Sequence, residues 1–433
     1  MCPRALVVSV VAVLLLVVHP AAILSAPPDV VPVSEEGNVF QLLQSVTVDG
    51  GENGNDEARG ISVASDGTVY ATGYVTVAGQ GRNIWLGKYS EELVYQDSVT
   101  VDGVANGDDE GYTMAFDTSG NLYLVGYMTQ AGEGHDIWLG KFDSDLVLLD
   151  SITVTGPDTD HDDGYGILFD SVSGNLYLAG TVRESGQDAN IWLAIYDTDL
   201  DLVDDITMDG PAHDTDKARF MAFDDTRHLF VSGSMTDDLS RDYAIWIGKF
   251  KDDLTFVDDV TVDGPTPDED KGYGIAFDGD DTIFVTGTMI ETDESYNIWM
   301  AKYDTDLNPI DALTISGPVD DGEDVAYLMT MGSAGRLYHT GTFTETVGGT
   351  NIWLARFDPA LNLEAWVTLD GPDSGYDTGI GVAAGRNDDL YVSALVSHPT
   401  RGFDMWFGRF DVSTVFADGF EAGDTASWSG TTQ

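Results

Sequence analysis

Seven tryptophans recur at an almost fixed interval: Trp85, Trp138, Trp192, Trp246, Trp299, Trp353 and Trp406, spaced by 53 or 54 residues. A self-similar period of this size means one supersecondary unit copied in series, and it limits the architecture more than any other feature of the chain. Length alone, at 433 residues, would suggest two or three domains. Seven short units predict one closed body instead. The second copy shows the unit. Residues 112–116, 121–128, 136–142 and 147–154 read as four short strands rich in β-branched and aromatic residues, separated by Gly, Asp and Asn turns. No stretch has a helical period. Four strands in sequence make an antiparallel meander, and seven meanders predict an all-β fold, a seven-bladed β-propeller of four-stranded antiparallel blades.

Several positions hold in every copy. The second strand carries Tyr70, Tyr123, Tyr177, Phe230, Phe284, Tyr338 and Tyr391, and the third ends in Tyr89, Phe142, Tyr196, Phe250, Tyr303, Phe357 and Phe410. Blades pack face to face, so large aromatics on both faces are packing residues. The fourth strand ends in Gly50, Gly103, Gly156, Gly210, Gly264, Gly317 and Gly371, where a positive φ or a close backbone approach is expected. Residues 40–50 (FQLLQSVTVDG) match the fourth strand of the next copy, 93–103 (LVYQDSVTVDG), and the last copy ends near Asp411 without that motif. The N-terminal strand is therefore expected to complete the last blade, which removes two open sheet edges.

The G-x-Y strand, then D/N-I-W-L-x-K-Y/F-D, V-D-G, an acidic loop and G-I-A-F-D resemble the bacterial seven-bladed β-propeller repeats known as SBBP repeats. Residues 121–126 (NLYLVG) and Asp109-Glu110-Gly111 carry the match well, and the resemblance spans roughly residues 40–415. The fourth strand departs from that family, which often has tryptophan there, whereas here only Trp366 sits in such a strand. The resemblance implies an exported propeller, commonly a module of surface or secreted proteins. It implies no single activity, because the fold hosts enzymes, lectins and scaffolds.

The N-terminus fits export. Arg4 precedes a fourteen-residue apolar run at 5–18, too short for a comfortable membrane span, and small residues follow at Ala21, Ala22, Ser25 and Ala26. Residues 1–26 read as a signal peptide, 27–39 as a linker, 40–415 as the propeller and 416–433 as a tail with a sorting or attachment motif. The single cysteine, Cys2, leaves with the signal, so the mature chain has no disulfide and no thiolate metal site. With 19 basic and 75 acidic residues the formal net charge is −56. Such a surface repels nucleic acid and anionic membranes and keeps the chain soluble in a salty medium. The mature chain is expected to be a secreted or cell-surface monomer with no transmembrane segment.

The sharpest site candidate is a ring of aspartates, one per copy: Asp56, Asp109, Asp162, Asp216, Asp270, Asp324 and Asp377. Each precedes a first strand, and in a propeller first strands line the central channel, so these loops gather around one mouth. A polar position precedes the tryptophans on the same face: Asn83, Asp136, Asn190, Asn297, Asn351 and Asp404, with Ala244 the exception. Two readings are open. An aspartate used identically in every copy suits backbone capping and specification of the fold. Carboxylates converging on one mouth would also bind Ca²⁺ or another hard cation. Further acids crowd these loops, among them Glu57, Asp108, Glu110, Asp160, Asp163, Asp214, Asp268, Glu269, Asp320, Asp321 and Glu323. No EF-hand spacing is present.

A base near the end of the third strand, at Lys88, Lys141, Lys249, Lys302, Arg356 and Arg409, is read as pairing with acids or covering apolar surface, with Ile195 the exception. No H-E-x-x-H, G-x-S-x-G or phosphate-binding glycine loop occurs. His135, His161 and His213 fall in loops on the aspartate face. The loops between second and third strands differ most, and Arg183, Arg241, Tyr243, Tyr296, Arg401 and Phe403 offer an asymmetric surface for a protein or glycan. The sequence reads best as a non-enzymatic binding or scaffold module. The alternatives are a divalent-cation-dependent lectin or adhesin, and a polysaccharide lyase or hydrolase acting at an acidic channel mouth.

Overall fold

The computed structural model describes residues 39–412, apart from short breaks at 52–53, 132–133, 159–160, 185–187, 237–242, 267–268, 292–294, 320–321, 347–348 and 401. It also describes three backbone segments nearer the N-terminus. Seven antiparallel meanders stand in a ring. The first runs Glu57–Val63, Val69–Val77, Gly81–Tyr89 and Tyr95–Asp102 from the axis outward, and five more repeat it through residue 370. The seventh takes Thr378–Ala384, Asp389–His398 and Gly402–Asp411 from the C-terminal end and Gln41–Asp49 from the N-terminal end. In that last pairing Met405 lies opposite Val48 and Phe407 opposite Val46. The ring therefore closes as the repeat predicts. First strands of successive blades neighbour one another all the way round, including Thr378–Ala384 against Glu57–Val63.

The three N-terminal segments lie on outer edges. Leu16–Val18 pairs with the outer strand of the first blade, Ile23–Ser25 with Gln41–Asp49, and Val31–Glu36 with Leu363–Asp370. The last of these lies within the stretch expected as a linker. The tail lies outside the described residues. Among the described residues no helix is long and apolar enough to cross a membrane.

The core lies between blades. Each of seven apolar clusters joins the tryptophan of one blade to side chains of the blade before it. Six of the seven repeat tryptophans are among the largest fully buried side chains, and Trp299 is 3 % exposed. The second-strand tyrosines also reach across. Tyr123, Tyr177 and Tyr391 donate their hydroxyls to Thr198 O, Asp252 O and Glu91 O of the following blade at 3.1, 2.8 and 2.6 Å.

The third-strand bases work at the same interface. Lys88, Lys141 and Lys249 donate Nζ to Ser144 O, Thr198 O and Thr305 O of the next blade at 2.5, 2.6 and 2.5 Å. Lys302 does the same to Pro359 O at 3.3 Å. The acid partners of Lys88, Lys141 and Lys249 sit at 3.5–3.9 Å on highly exposed carboxylates, so the carbonyl bond is the stronger contact. Arg356 and Arg409 pair with Glu364 and Asp389 instead. Where Ile195 replaces the base, Arg227 of the next blade bridges Asp170 and Asp252 at 2.7 and 3.0 Å.

The turn between third and fourth strands holds a leucine at positive φ in six blades: Leu93, Leu146, Leu200, Leu254, Leu307 and Leu361, with φ from 59° to 64°. A left-handed leucine costs about 1–2 kcal/mol. Each of these side chains is buried between blades, and burying a leucine returns about 1.5–3 kcal/mol. The seventh blade has no such turn, because its third and fourth strands come from opposite ends of the chain.

Candidate functional site

The ring aspartates lie one per blade junction, each at most 1 % exposed. Each carboxylate is occupied in the same way. Oδ2 accepts from the N–H of the glycine that ends the previous blade's outer strand, at 2.5–2.7 Å. Oδ1 accepts from a backbone N–H at the end of the blade's own second strand, at 2.6–2.9 Å. The aspartate's own N–H donates to a third-strand carbonyl of the previous blade, at 2.6–2.8 Å. These seven side chains staple blade to blade. The close approach explains the glycines: a Cβ on Gly156 would sit 2.8 Å from the Asp162 carboxylate. None of the seven glycines has a positive φ, so proximity and not backbone twist requires them.

Burial drives these carboxyls upward, against the two backbone bonds that lower them. Asp56 and Asp216 are pushed up to about 6, and Asp109, Asp162 and Asp377 to about 7. A folded value above the unfolded one means that the native state holds more protons in between. Stability then falls as pH rises from about 4 through 7. Other carboxylates act oppositely: hydrogen bonds hold Asp117, Asp304 and Asp358 below the ordinary value, and their support is lost in stronger acid. The melting temperature is therefore expected to peak in mild acid, near pH 4–5, and to decline toward pH 8. Thermal melts at high salt, where surface repulsion is screened, check this. A melting temperature that climbs steadily to pH 8 would contradict it.

One carboxylate group among the described residues is close enough to share an ion: Asp49, Asp56 and Asp404, all buried, with ligand oxygens within 4.8 Å of one another. Asp160, Asp268, Asp320, Asp321, Arg241 and Arg401 lie outside the described residues.

The channel itself is lined by residues that the repeat pattern does not single out. In every blade the pairing of first and second strands breaks register three residues after the staple aspartate. A β-bulge turns the extra residue out of the ladder and re-aims its side chain. The seven bulged residues are Arg59, Tyr112, Tyr165, Arg219, Tyr273, Tyr327 and Ile380, and all seven line one cavity of about 350 Å³ on the channel axis. The lining of this cavity is mainly aromatic, with Arg59, Arg219 and Glu57 as its charged members, and the staple aspartates are not part of it. The signal was in the sequence as variation after an invariant aspartate, at the second and fourth positions of the motif: D-E-A-R, D-E-G-Y, D-D-G-Y, D-K-A-R, D-K-G-Y, D-V-A-Y and D-T-G-I.

The residue just before the bulge pair polarises the mouth. It is acidic in the first three blades (Glu57, Glu110, Asp163), basic in the next two (Lys217, Lys271) and uncharged in the last two (Val325, Thr378). On the acidic arc the charges are matched. Arg59 pairs with Glu57 and Glu110 at 3.0 and 3.1 Å, and Arg82 pairs with Glu110 at 2.5 Å. Asp163 accepts from Tyr165 Oη at 3.0 Å and lies 2.9 Å from His135 Nε2, while His135 stacks on Tyr127. Burial raises the Asp163 carboxyl, and these two bonds outweigh it and hold it below its usual value. His161 meets His135, and His213 lies with Asp209 away from this cluster.

The basic arc is only partly matched. The Arg219 guanidinium lies 5.7 Å from the Tyr165 ring centre and 4.7 Å from that of Tyr273, and its buried Nη1 has no hydrogen-bond partner among the described residues. Lys217 sits 5.9 Å from the Tyr165 ring centre. Burial, then Arg219, Lys271 and Arg183, push its ammonium down to about 8 against the pull of Asp163. Lys271 is paired with Glu269 at 2.6 Å. Of the residues that the variable loops offered, Phe403 lines the cavity, while Tyr296 borders Lys271 at 5.2 Å from its ring centre.

No protein-family model matches the chain, and no curated protein matches it. Solved structures do. The β-propeller domain of the Trilobed protease from Pyrococcus furiosus is 10 % identical, covering 84 % of this chain and 98 % of that one, with a TM-score of 0.48. An acylaminoacyl peptidase from Pyrococcus horikoshii is 12 % identical, covering 85 % and 54 %, with a TM-score of 0.45. A protein of unknown function from Bacteroides caccae is 9 % identical, covering 69 % and 94 %, with a TM-score of 0.42. At these values none of them bears on what the chain does.

Proposed function

We propose that this chain is an exported binding propeller of the SBBP repeat type, acting as a monomer outside the cell or at its surface. Its channel mouth takes a small anionic ligand, of the size and chemistry of an acidic sugar, without turning it over. One observation carries the reading: Arg219 is held between two tyrosine rings with a buried nitrogen that has no acceptor among the described residues. Leaving such a donor unmet costs about 1–3 kcal/mol, and more for a charged group. The 75 acids of the chain make an accidental shortage of carboxylates there hard to explain. A ligand carboxylate or phosphate would supply the missing acceptor. Tyrosine faces suit the apolar face of a sugar ring, and a cavity of about 350 Å³ has room for a mono- or disaccharide. The net charge of −56 does not forbid an anion, since distant charges are screened beyond roughly 8–10 Å at ordinary salt. The charge and the N-terminal apolar run support an exported protein that avoids nucleic acid.

A thermal-shift panel of acidic and neutral sugars identifies the class. Acidic members are expected to stabilise the protein and their neutral counterparts to leave it unchanged. Arg219→Gln is expected to weaken the best acidic ligand by about 10–100-fold, the loss of one charge-assisted bond. Equal responses to acidic and neutral sugars would count against the reading.

A further inference from the structure

Resting on that reading of the mouth, we infer that Lys217 is a nucleophilic amine that forms a reversible imine with a carbonyl ligand whose carboxylate sits on Arg219. The ligand class is a 2-oxo acid or aldehydic acid, up to the size of an open-chain sugar acid.

The seven lysines of the chain divide by their surroundings. Lys88, Lys141, Lys249 and Lys302 are bound to carbonyls of the neighbouring blade. Lys271 is held by Glu269, and Lys251 is exposed. Lys217 is partly buried, with Nζ 5.9 Å from the centre of the cavity-lining Tyr165 ring, and the Arg219 guanidinium lies 5.7 Å from that same ring. An amine that is desolvated beside another cation is activated as a nucleophile, because its neutral form is favoured. The groups that act on it are Arg219, Lys271 and Arg183, which disfavour the ammonium, and Asp163, which favours it. With the ammonium pushed down to about 8, on the order of a hundredfold more free amine is present at neutral pH than on an ordinary lysine.

The step balances without an oxidant or cofactor. The Nζ lone pair attacks the carbonyl carbon, and the carbonyl oxygen leaves as water with the two amine protons. A C=N bond replaces the C=O bond, and hydrolysis reverses the step. The bulge places Arg219 and Lys217 on the same first strand, either side of Ala218. An α-carboxylate held by the guanidinium keeps its carbonyl beside the amine.

The test is reductive trapping of the full chain with glyoxylate or pyruvate and cyanoborohydride at neutral pH, followed by peptide mapping. Lys217 is expected to label at least about tenfold faster than exposed Lys251. Lys217→Arg removes that adduct, and Arg219→Gln slows labelling by the oxo acids but not by neutral propanal. Equal labelling of Lys217 and Lys251 in the wild type overturns the inference. Lactate, which has the carboxylate and no carbonyl, separates the two claims. Lactate binding without Lys217 trapping overturns the imine and leaves the anion site standing. Neither binding nor trapping by any of these acids overturns both.

Discussion

Replacing Asp109 with alanine is expected to destabilise the protein by about 3 kcal/mol, with a correspondingly lower denaturant midpoint. The buried carboxylate accepts from Gly103 N at 2.7 Å and Thr129 N at 2.8 Å. Removing it leaves two interior N–H groups without acceptors, each costing about 1–3 kcal/mol. It also opens a void between two blades, so water entry would recover only part of the loss. Asp108, next in sequence, is the control: its side chain is 57 % exposed, and Asp108→Ala should stay within about 0.5 kcal/mol of the parent. Equal effects of the two substitutions in chemical denaturation would remove the staple from this account. The same seven-fold arrangement makes the effect general, and Asp162→Ala should behave alike.

A chain that begins at residue 51 is expected to lose ring closure, at a cost of at least about 5 kcal/mol. It lacks Gln41–Asp49, which pairs with Gly402–Asp411 from Asp411 through Met405. Val48, 1 % exposed, leaves the cluster that holds Trp85 and Phe407. The bare third strand then presents an unpaired edge, which invites association between chains. A chain beginning at residue 38 keeps the closing strand and loses only the edge segments before it, so it should melt well above the shorter chain. Adding a peptide of residues 39–50 to the shorter chain should restore its melting temperature. A shorter chain that melts like its parent would mean the closing strand contributes little.

Much of this architecture is legible in the sequence, for a physical reason. A blade cannot bury its two faces alone, so each copy must repeat the same packing residues, and the tryptophan period exposes the repeat directly. The closing strand was readable because residues 40–50 carry a fourth-strand motif with no preceding strands. The staple aspartate and its glycine were each visible as invariant positions, but their bond to each other was not, since it links the end of one blade to the start of the next. Likewise the third-strand lysines look like surface ion pairs in sequence, yet they bind carbonyls of the next blade 56 or 57 residues away. The channel site was missed for the opposite reason. A bulge leaves no mark on a period-two pattern, and the residues it projects are those that differ: two arginines, four tyrosines and an isoleucine. Regularity revealed what holds the ring together, and its interruption marks the surface free to vary with a ligand.

The central claim is that the bulged residues around the axis form the ligand site. It is tested most directly by NMR of protein carrying isotope-labelled tyrosine, titrated with an acidic sugar and with its neutral counterpart. The account predicts that the ring signals of Tyr165 and Tyr273, which flank Arg219, shift with the acidic sugar alone, and that Arg219→Gln abolishes the shift. Shifts confined to tyrosines of the outer loops, or a response to both sugars that survives Arg219→Gln, would contradict it.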